Sequence, residues 1–358
     1  MDPSGPPSPT APQPTTTRTG PGRVNLIGDH TDYNQGRALP MAIGLGITVE
    51  WTASDDEFLT VSSDAFPEDP AVVPVVTDAD DLTGFRPTWA RLVAAVVSLS
   101  RPGAGGTVRI RSTLPRGSGL SSSAALSVAL ADAFGVEGDA RVVAALCREA
   151  EHRTGVPVGL MDPLVCAGGR AGHALWIDFA TGTTRDVTLP AAASFVVVDS
   201  GQRRDLRSSA YATRVAECGA AAAVIGPLGL AGPGDVAGLR DPLLRRRARH
   251  VVGECARVDG FAAALVGGDL AVAGSAMDAS HRSLADDFAV STPQLDDLVG
   301  LLRARPGVHG ARMTGAGFGG CVVALCEPGA VDVTRLGAAA WRVDAVDGTV
   351  TARTAGGR

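Results

Sequence analysis

Apolar and polar positions change rhythm several times along this chain of 358 residues. Met1 to Gly22 is Pro, Ser and Thr with almost no apolar side chain, too little to offset the entropy of ordering, so a loose, disordered tail is expected there. From Val24 to Glu50 the apolar residues come in short groups broken by glycines and Pro40, which predicts strands and tight turns and not one long helix. Thr107 to Ser112 alternates Val108 and Ile110 with arginines, the period of a half-buried strand. Helical spacing follows over about Ser121 to Phe134 and Asp139 to Arg153, and His173 to Phe179 and Phe195 to Asp199 read as buried strands. The chain then turns mainly helical, over Arg203 to Val224 and Leu243 to about Asp287, with a Gly/Pro loop from Gly226 to Gly238 between them. Strands are expected again at His309 to Arg312 and Cys321 to Cys326. A boundary near residue 190 divides the ordered chain into 23–190 and 191–358.

Composition narrows the class. Hydrophobic content of 45% is ample for a core, but aromatics are only 4%, so Ala, Val and Leu must build it. A net charge of -6 gives no electrostatic reason to propose a nucleic-acid or acidic-membrane partner. All 32 basic residues are arginine. Without lysine there is no Walker-type Gly-Lys-Ser/Thr loop, no pyridoxal Schiff base and no lysine aldolase chemistry. The six cysteines show neither a Cys-x-x-Cys pair nor zinc-like spacing with histidine, so reduced, buried thiols in a cytoplasmic protein are expected. No apolar run approaches the length of a membrane span, and no basic-then-apolar start suggests export. The run Arg245-Arg-Arg-Ala-Arg249 is expected to be a solvated helix face.

Candidate chemistry concentrates in glycine segments. In Pro115-Arg-Gly-Ser-Gly-Leu-Ser-Ser-Ser-Ala-Ala125, Gly117 and Gly119 let the backbone approach a ligand, while Ser118, Leu120, Ser121, Ser122 and Ser123 lead into a helix whose first N–H groups are unpaired. The helix dipole favours an anion there, so the segment suits a phosphate cradle. The plainer reading is a serine N-cap, which explains one hydroxyl of the three. In Gly22-Arg-Val-Asn-Leu-Ile-Gly-Asp-His-Thr-Asp-Tyr-Asn34, residues Arg23, Asp29, His30, Thr31 and Asp32 crowd a turn. That cluster suits a polyol, with an Asx-rich surface turn as the alternative. Glu151 and Asp162, the latter within Gly159-Leu-Met-Asp-Pro163, offer two carboxylates after the cradle. One can hold Mg2+ with a serine hydroxyl while the other faces an attacking hydroxyl, or either can be a cap or a surface charge. Met313-Thr-Gly-Ala-Gly-Phe-Gly-Gly320, between two strands, fits a hairpin as well as a functional loop.

These three glycine segments, in this order, resemble the GHMP kinase superfamily, and the first is close to the signature of its galactokinase family. The resemblance runs from Pro21 to about Cys326 and takes in Gly172-His-Ala-Leu-Trp-Ile-Asp-Phe179, Tyr211-Ala-Thr-Arg214 and Ala279-Ser-His-Arg-Ser-Leu284. It implies an α+β fold of two lobes, an N-terminal lobe of mixed sheet and helices and a ferredoxin-like C-terminal lobe, with ATP and sugar between them. By the same resemblance, Arg23 stabilises the transferring phosphoryl group and Asp162 is the base or positioning group for the anomeric hydroxyl. Gly117 to Ser123, Gly315 and Gly317 hold ATP, and Ser123 and Glu151 coordinate Mg2+. Asp29, His30, Thr31, Asp32, Gly159 and Tyr211 bind the sugar. A cytoplasmic monomer acting on a small sugar, without nucleic acid or membrane, is the expected setting.

Four departures accompany the resemblance. Asp29 stands where the family has glutamate, Pro163 where it has glutamine, and the link from Glu151 to Asp162 is one residue shorter. The helix and strand that precede the first segment in the family are expected to be replaced by the tail. The first three bear on the acceptor, so a kinase for a modified or longer sugar is the nearest rival to a galactose kinase. A non-catalytic sensor that binds sugar and ATP is the alternative of another class, and the intact serines and Asp162 argue against it.

Overall fold

The computed structural model describes residues 14–74, 82–115, 117–156, 158–202 and 209–356. The chain opens on two long strands, β1 (Thr15–Ile27) and β2 (Arg37–Ser54), antiparallel over nearly the whole of β1. The expected tail is therefore shorter than 1–22: Thr15 to Gly22 is strand, and residues 1–13 lie outside the described residues. These residues order through pairing and not through apolar burial. Thr15 and Thr19 face Thr52 and Thr48 across the pair, hydroxyl to hydroxyl at 2.9 Å each, a cross-strand contact suited to β-branched residues.

Next come β3 (Phe58–Ser63), β4 (Ala71–Pro74), α1 (Arg91–Ser100), β5 (Gly105–Ser112), α2 (Ser122–Ala133), α3 (Ala140–Arg153), α4 (Met161–Gly168), β6 (His173–Asp178) and β7 (Thr184–Thr188). The first seven strands form one mixed sheet, ordered β4-β3-β5-β2-β6-β7 with β1 also on β2, and α2 packs across it. Gly20 permits that packing: a Cβ there would lie 2.1 Å from the Ala125 carbonyl oxygen.

After residue 190 the chain enters a second sheet at β8 (Ser194–Asp199) and passes through α5 (Ser209–Ile225), α6 (Pro233–Gly238), α7 (Pro242–Gly267), α8 (Leu270–Asp286) and α9 (Pro293–Arg303). It returns through β9 (Val308–Thr314), β10 (Cys321–Cys326) and β11 (Ala340–Val343) before α10 (Thr349–Gly356). The sheet order β11-β8-β10-β9, all antiparallel, is the ferredoxin-like arrangement. Residues 203–208 of the expected helical stretch lie outside the described residues, and the expected Gly/Pro loop holds the short helix α6.

Two details differ from the sequence reading. The end of the chain crosses back to the larger sheet: Val346 N–H donates to Ala42 O, Gly348 N–H to Gly169 O, and Arg353 reaches Val136 O and buried Asp132. The arginine run is a solvated face only in part: Arg246 and Arg249 are exposed, Arg245 is half-buried and Arg247 is buried. Arg246 and Arg247 donate to the carbonyls of Asp286 and Asp287 at the end of α8, Arg249 pairs with the Asp287 carboxylate, and Arg247, 3% exposed, also pairs with Glu217. Cations at a helix C-terminus neutralise its dipole, which explains the run without any partner. All six cysteines are buried and free, as expected.

Candidate active site

β1 brings Arg23 to the junction of the two lobes. Its backbone N–H donates to Leu120 O, and its guanidinium Nη1 donates to Gly119 O at 2.8 Å, so one residue ties the strand to the serine loop twice. The rest of the guanidinium forks onto Asp162, Nε to Oδ1 at 2.8 Å and Nη2 to Oδ2 at 2.7 Å. Such bidentate pairs fix both position and plane. Asp162 lies in the first turn of α4, where the dipole favours a carboxylate and where Pro163 removes only an N–H that has no helical partner. Its side chain stays 33% exposed.

The serine loop turns on Gly117 and Gly119, at φ +71° and +77°. Gly117, Ser122 and Ser123 line a cavity of about 350 Å3, together with Glu151, Arg91, Phe66 and Trp89. Ser118 does not face it, since its hydroxyl donates to Pro115 O. Ser121 occupies the N-cap position of α2 yet caps nothing; its hydroxyl donates to Asp162 Oδ2 at 2.5 Å.

Glu151, in the last turn of α3, is buried, and it lines the cavity with Ser123. Desolvation, helped by the charge of Asp162, pushes its carboxyl up to about 7 despite Ser123 and Arg23. Among the described residues no cluster of three or more His, Cys, Asp or Glu side chains suits a metal. A carboxylate and a hydroxyl do suit Mg2+, which takes one or two protein oxygens and completes its shell with phosphate and water.

Asp32 lies beside Asp162, and desolvation followed by that neighbour's charge raises its carboxyl to about 6. Gly159 leaves room for it: a Cβ there would sit 2.4 Å from Asp32 Oδ2. His30 Nδ1 meets the Tyr33 hydroxyl at 2.9 Å, and the rings of His30, Tyr33 and Tyr211 form a cluster with centroids about 6 Å apart. Burial raises both tyrosine hydroxyls above their ordinary range, which keeps them neutral.

Two residues expected at the sugar do other work. Thr31 is fully buried and closes the turn, its hydroxyl lying within bonding distance of Gly28 O and Arg37 O. Asp29 is 2% exposed with both oxygens engaged, Oδ1 accepting from Gly315 N–H at 2.7 Å and Oδ2 paired with Arg312 Nη2 at 2.5 Å. Gly315 thus anchors the third glycine segment, and Gly317 at φ +80° fits against Val290, whose carbonyl oxygen a Cβ would approach to 2.5 Å. Arg312 itself is wholly buried and lies 3.6 Å from Glu254. Burial alone would raise Glu254, but Arg257 and Arg312 hold its carboxyl down at about 2. The sequence reading missed this network and the cavity's aromatic end, where Phe66 and Trp89 stack at 5.2 Å. The available signal for the latter was four of the chain's few Phe and Trp residues, Phe58, Phe66, Phe85 and Trp89, gathered ahead of α1.

A ferredoxin-like lobe joined to a mixed-sheet lobe, with a serine loop and an Arg–Asp pair at the seam, is the architecture of GHMP kinases. Family models match at residues 90–170 (GHMP kinases N terminal domain), 261–336 (GHMP kinases C terminal) and 11–52 (galactokinase galactose-binding signature). Galactokinases of Roseiflexus sp. (strain RS-1) and Homo sapiens are each 40% identical, over 92% and 89% of this chain and 88% and 85% of theirs. The crystal structure of Lactococcus lactis galactokinase complexed with galactose superposes with a TM-score of 0.83 at 28% identity, covering 94% of this chain and 95% of that one. A mevalonate kinase shares the fold at 19% identity and a TM-score of 0.69. The chain belongs to the galactokinase family.

Proposed function

We propose that this protein transfers the γ-phosphoryl group of ATP to the anomeric hydroxyl of galactose. The observation that carries the reading is the Arg23–Asp162 pair, bonded to the serine loop at Gly119 and Ser121 while the Asp162 side chain stays partly exposed. The base of ATP enters the apolar cavity toward Phe66 and Trp89, and its phosphates run to Gly117, Ser122 and Ser123 at the start of α2. Asp32, His30 and Tyr211 face the sugar, the carboxylate accepting from hydroxyls and the aromatic rings packing its apolar side. Asp162 orients the anomeric O–H and takes its proton as that oxygen bonds to the γ-phosphorus and the bond to the β-phosphate oxygen breaks. Arg23 offsets the negative charge spread over the transferred group.

Ser123 and Glu151 are the residues that would hold Mg2+, whose chemistry is to neutralise phosphate charge. Burial of the Glu151 carboxylate beside the Ser123 hydroxyl is what favours a cation there. The reading is tested by ADP release over a panel of sugars: galactose-dependent release that stops with chelator supports it. ATP and galactose binding without turnover would replace it with a sensor.

A further inference from the structure

We infer that Ser121 is a positioning residue for Asp162 and not a ligand of the nucleotide, a reading that rests on the kinase function proposed above. Three observations meet at this serine. It begins α2 in left-handed backbone, φ +62° and ψ +49°, a conformation that costs a non-glycine residue energy and persists only where the surroundings enforce it. Its hydroxyl leaves the helix N-terminus uncapped, although capping is the ordinary role of a serine there. That hydroxyl lies instead 2.5 Å from Asp162 Oδ2, a short charge-assisted bond, whereas Ser122 and Ser123 line the nucleotide cavity and Ser121 does not.

The consequence is a division of labour within one carboxylate. Oδ2 accepts from both Arg23 Nη2 and Ser121 Oγ, while Oδ1, among the described residues, accepts from Arg23 Nε alone. An oxygen with two donors is filled and fixed; Oδ1 keeps the capacity to receive the sugar's proton. Arg23 sets the plane of the carboxylate, and Ser121, from the opposite lip of the serine loop, stops it rocking about that fork. The loop that cradles phosphate is thereby coupled to the group that receives the proton, so a shift of either displaces the other.

The test uses Ser121→Gly, because glycine adopts the left-handed backbone without strain while the hydroxymethyl group, and with it the bond to Asp162, is removed. The expected result is a kcat lower by about 10- to 100-fold, the range for losing a bond to a charged group, with KM for ATP within about twofold and Tm not reduced. In the Asp162→Asn background the same change costs less than about twofold, because it acts through the carboxylate already removed. The inference is overturned if Ser121→Gly keeps wild-type kcat, if the loss falls in KM for ATP, or if the full loss persists in that background. Absence of sugar-dependent ATP turnover in the unmutated protein would instead overturn the parent reading.

Discussion

Asp162 and Arg23 act as one unit, since each oxygen of the carboxylate meets the guanidinium fork. Asp162→Asn is therefore expected to bind ATP normally and to lower kcat by about 10²- to 10⁴-fold, the range for a positioned proton acceptor; stopped-flow turnover with an ATP-binding isotherm checks both halves. The neighbouring carboxylates give two pH signatures. Burial and the charge of Asp162 push Asp32 up to about 6, and only its ionised form offers both oxygens as charged acceptors to sugar hydroxyls. KM for galactose is therefore expected to rise as pH falls below about 6 while KM for ATP holds, and parallel changes in both would remove Asp32 from the sugar. Glu151 titrates near 7 and must lose its proton to bind a cation. The Mg2+ needed for half activity is thus expected to fall up to about tenfold per unit as pH approaches 7 from below, then to level off; Glu151→Gln should abolish that slope. Arg23, Glu151, Ser123 and Asp162 could be proposed from the sequence because each lies in a short segment with its own pattern, and the structure pairs Arg23 with Asp162 and sets Glu151 and Ser123 on one cavity wall. The internal contacts of Asp29 were hidden for the opposite reason. Its partners Arg312 and Gly315 are far along the chain, so nothing local shows that its carboxylate is already committed.

Elements were read best where the apolar pattern is either periodic or continuous. α3 spans Ala140–Arg153 behind its Asp139 cap, and β8 and β10 are almost wholly buried, as continuous apolar runs imply. β1 was cut short because Thr15 to Thr19 mostly expose their side chains and gain their order from β2, a partner visible only after folding. The burial of Arg247 within the arginine run was hidden likewise, since the carbonyl it caps lies at the end of α8. α7 carries a further consequence in Glu254, which joins Arg257, Arg312, Ser280 and the Gly28 N–H. Its folded pKa is depressed, so its stabilisation is complete above the unfolded value near 4.5 and is lost as pH falls toward about 2. Glu254→Gln is expected to cost about 3–5 kcal/mol at pH 7, since it breaks the close pair with Arg257 and leaves Arg312 with Asp29 alone. Urea denaturation should show the gap to wild type narrowing below pH 4.5, and a gap independent of pH would mean that Glu254 is not ionised in the folded protein.

At the scale of the molecule, the two sheets meet along β1, where Arg312 from the smaller one donates to Leu26 O and Thr314 to Asn25 O. The sugar segment, the serine loop and the third glycine segment are thus fastened to one strand, which is why three stretches spread along the chain converge. The α+β class, the two lobes and the kinase family were legible from those segments and their order. The Ser121 contact and the aromatic end of the cavity were not, since both depend on packing between segments without local pattern. The central claim is that the Arg23–Asp162 pair directs phosphate to the anomeric oxygen of galactose. Phosphorus NMR of the product formed from ATP and galactose tests it most directly. The account predicts a single sugar phosphate whose phosphorus couples to H1, with one ADP per product and neither formed by Asp162→Asn at a comparable rate. Phosphate on another carbon, or ATP left intact beside unmodified galactose, would contradict it.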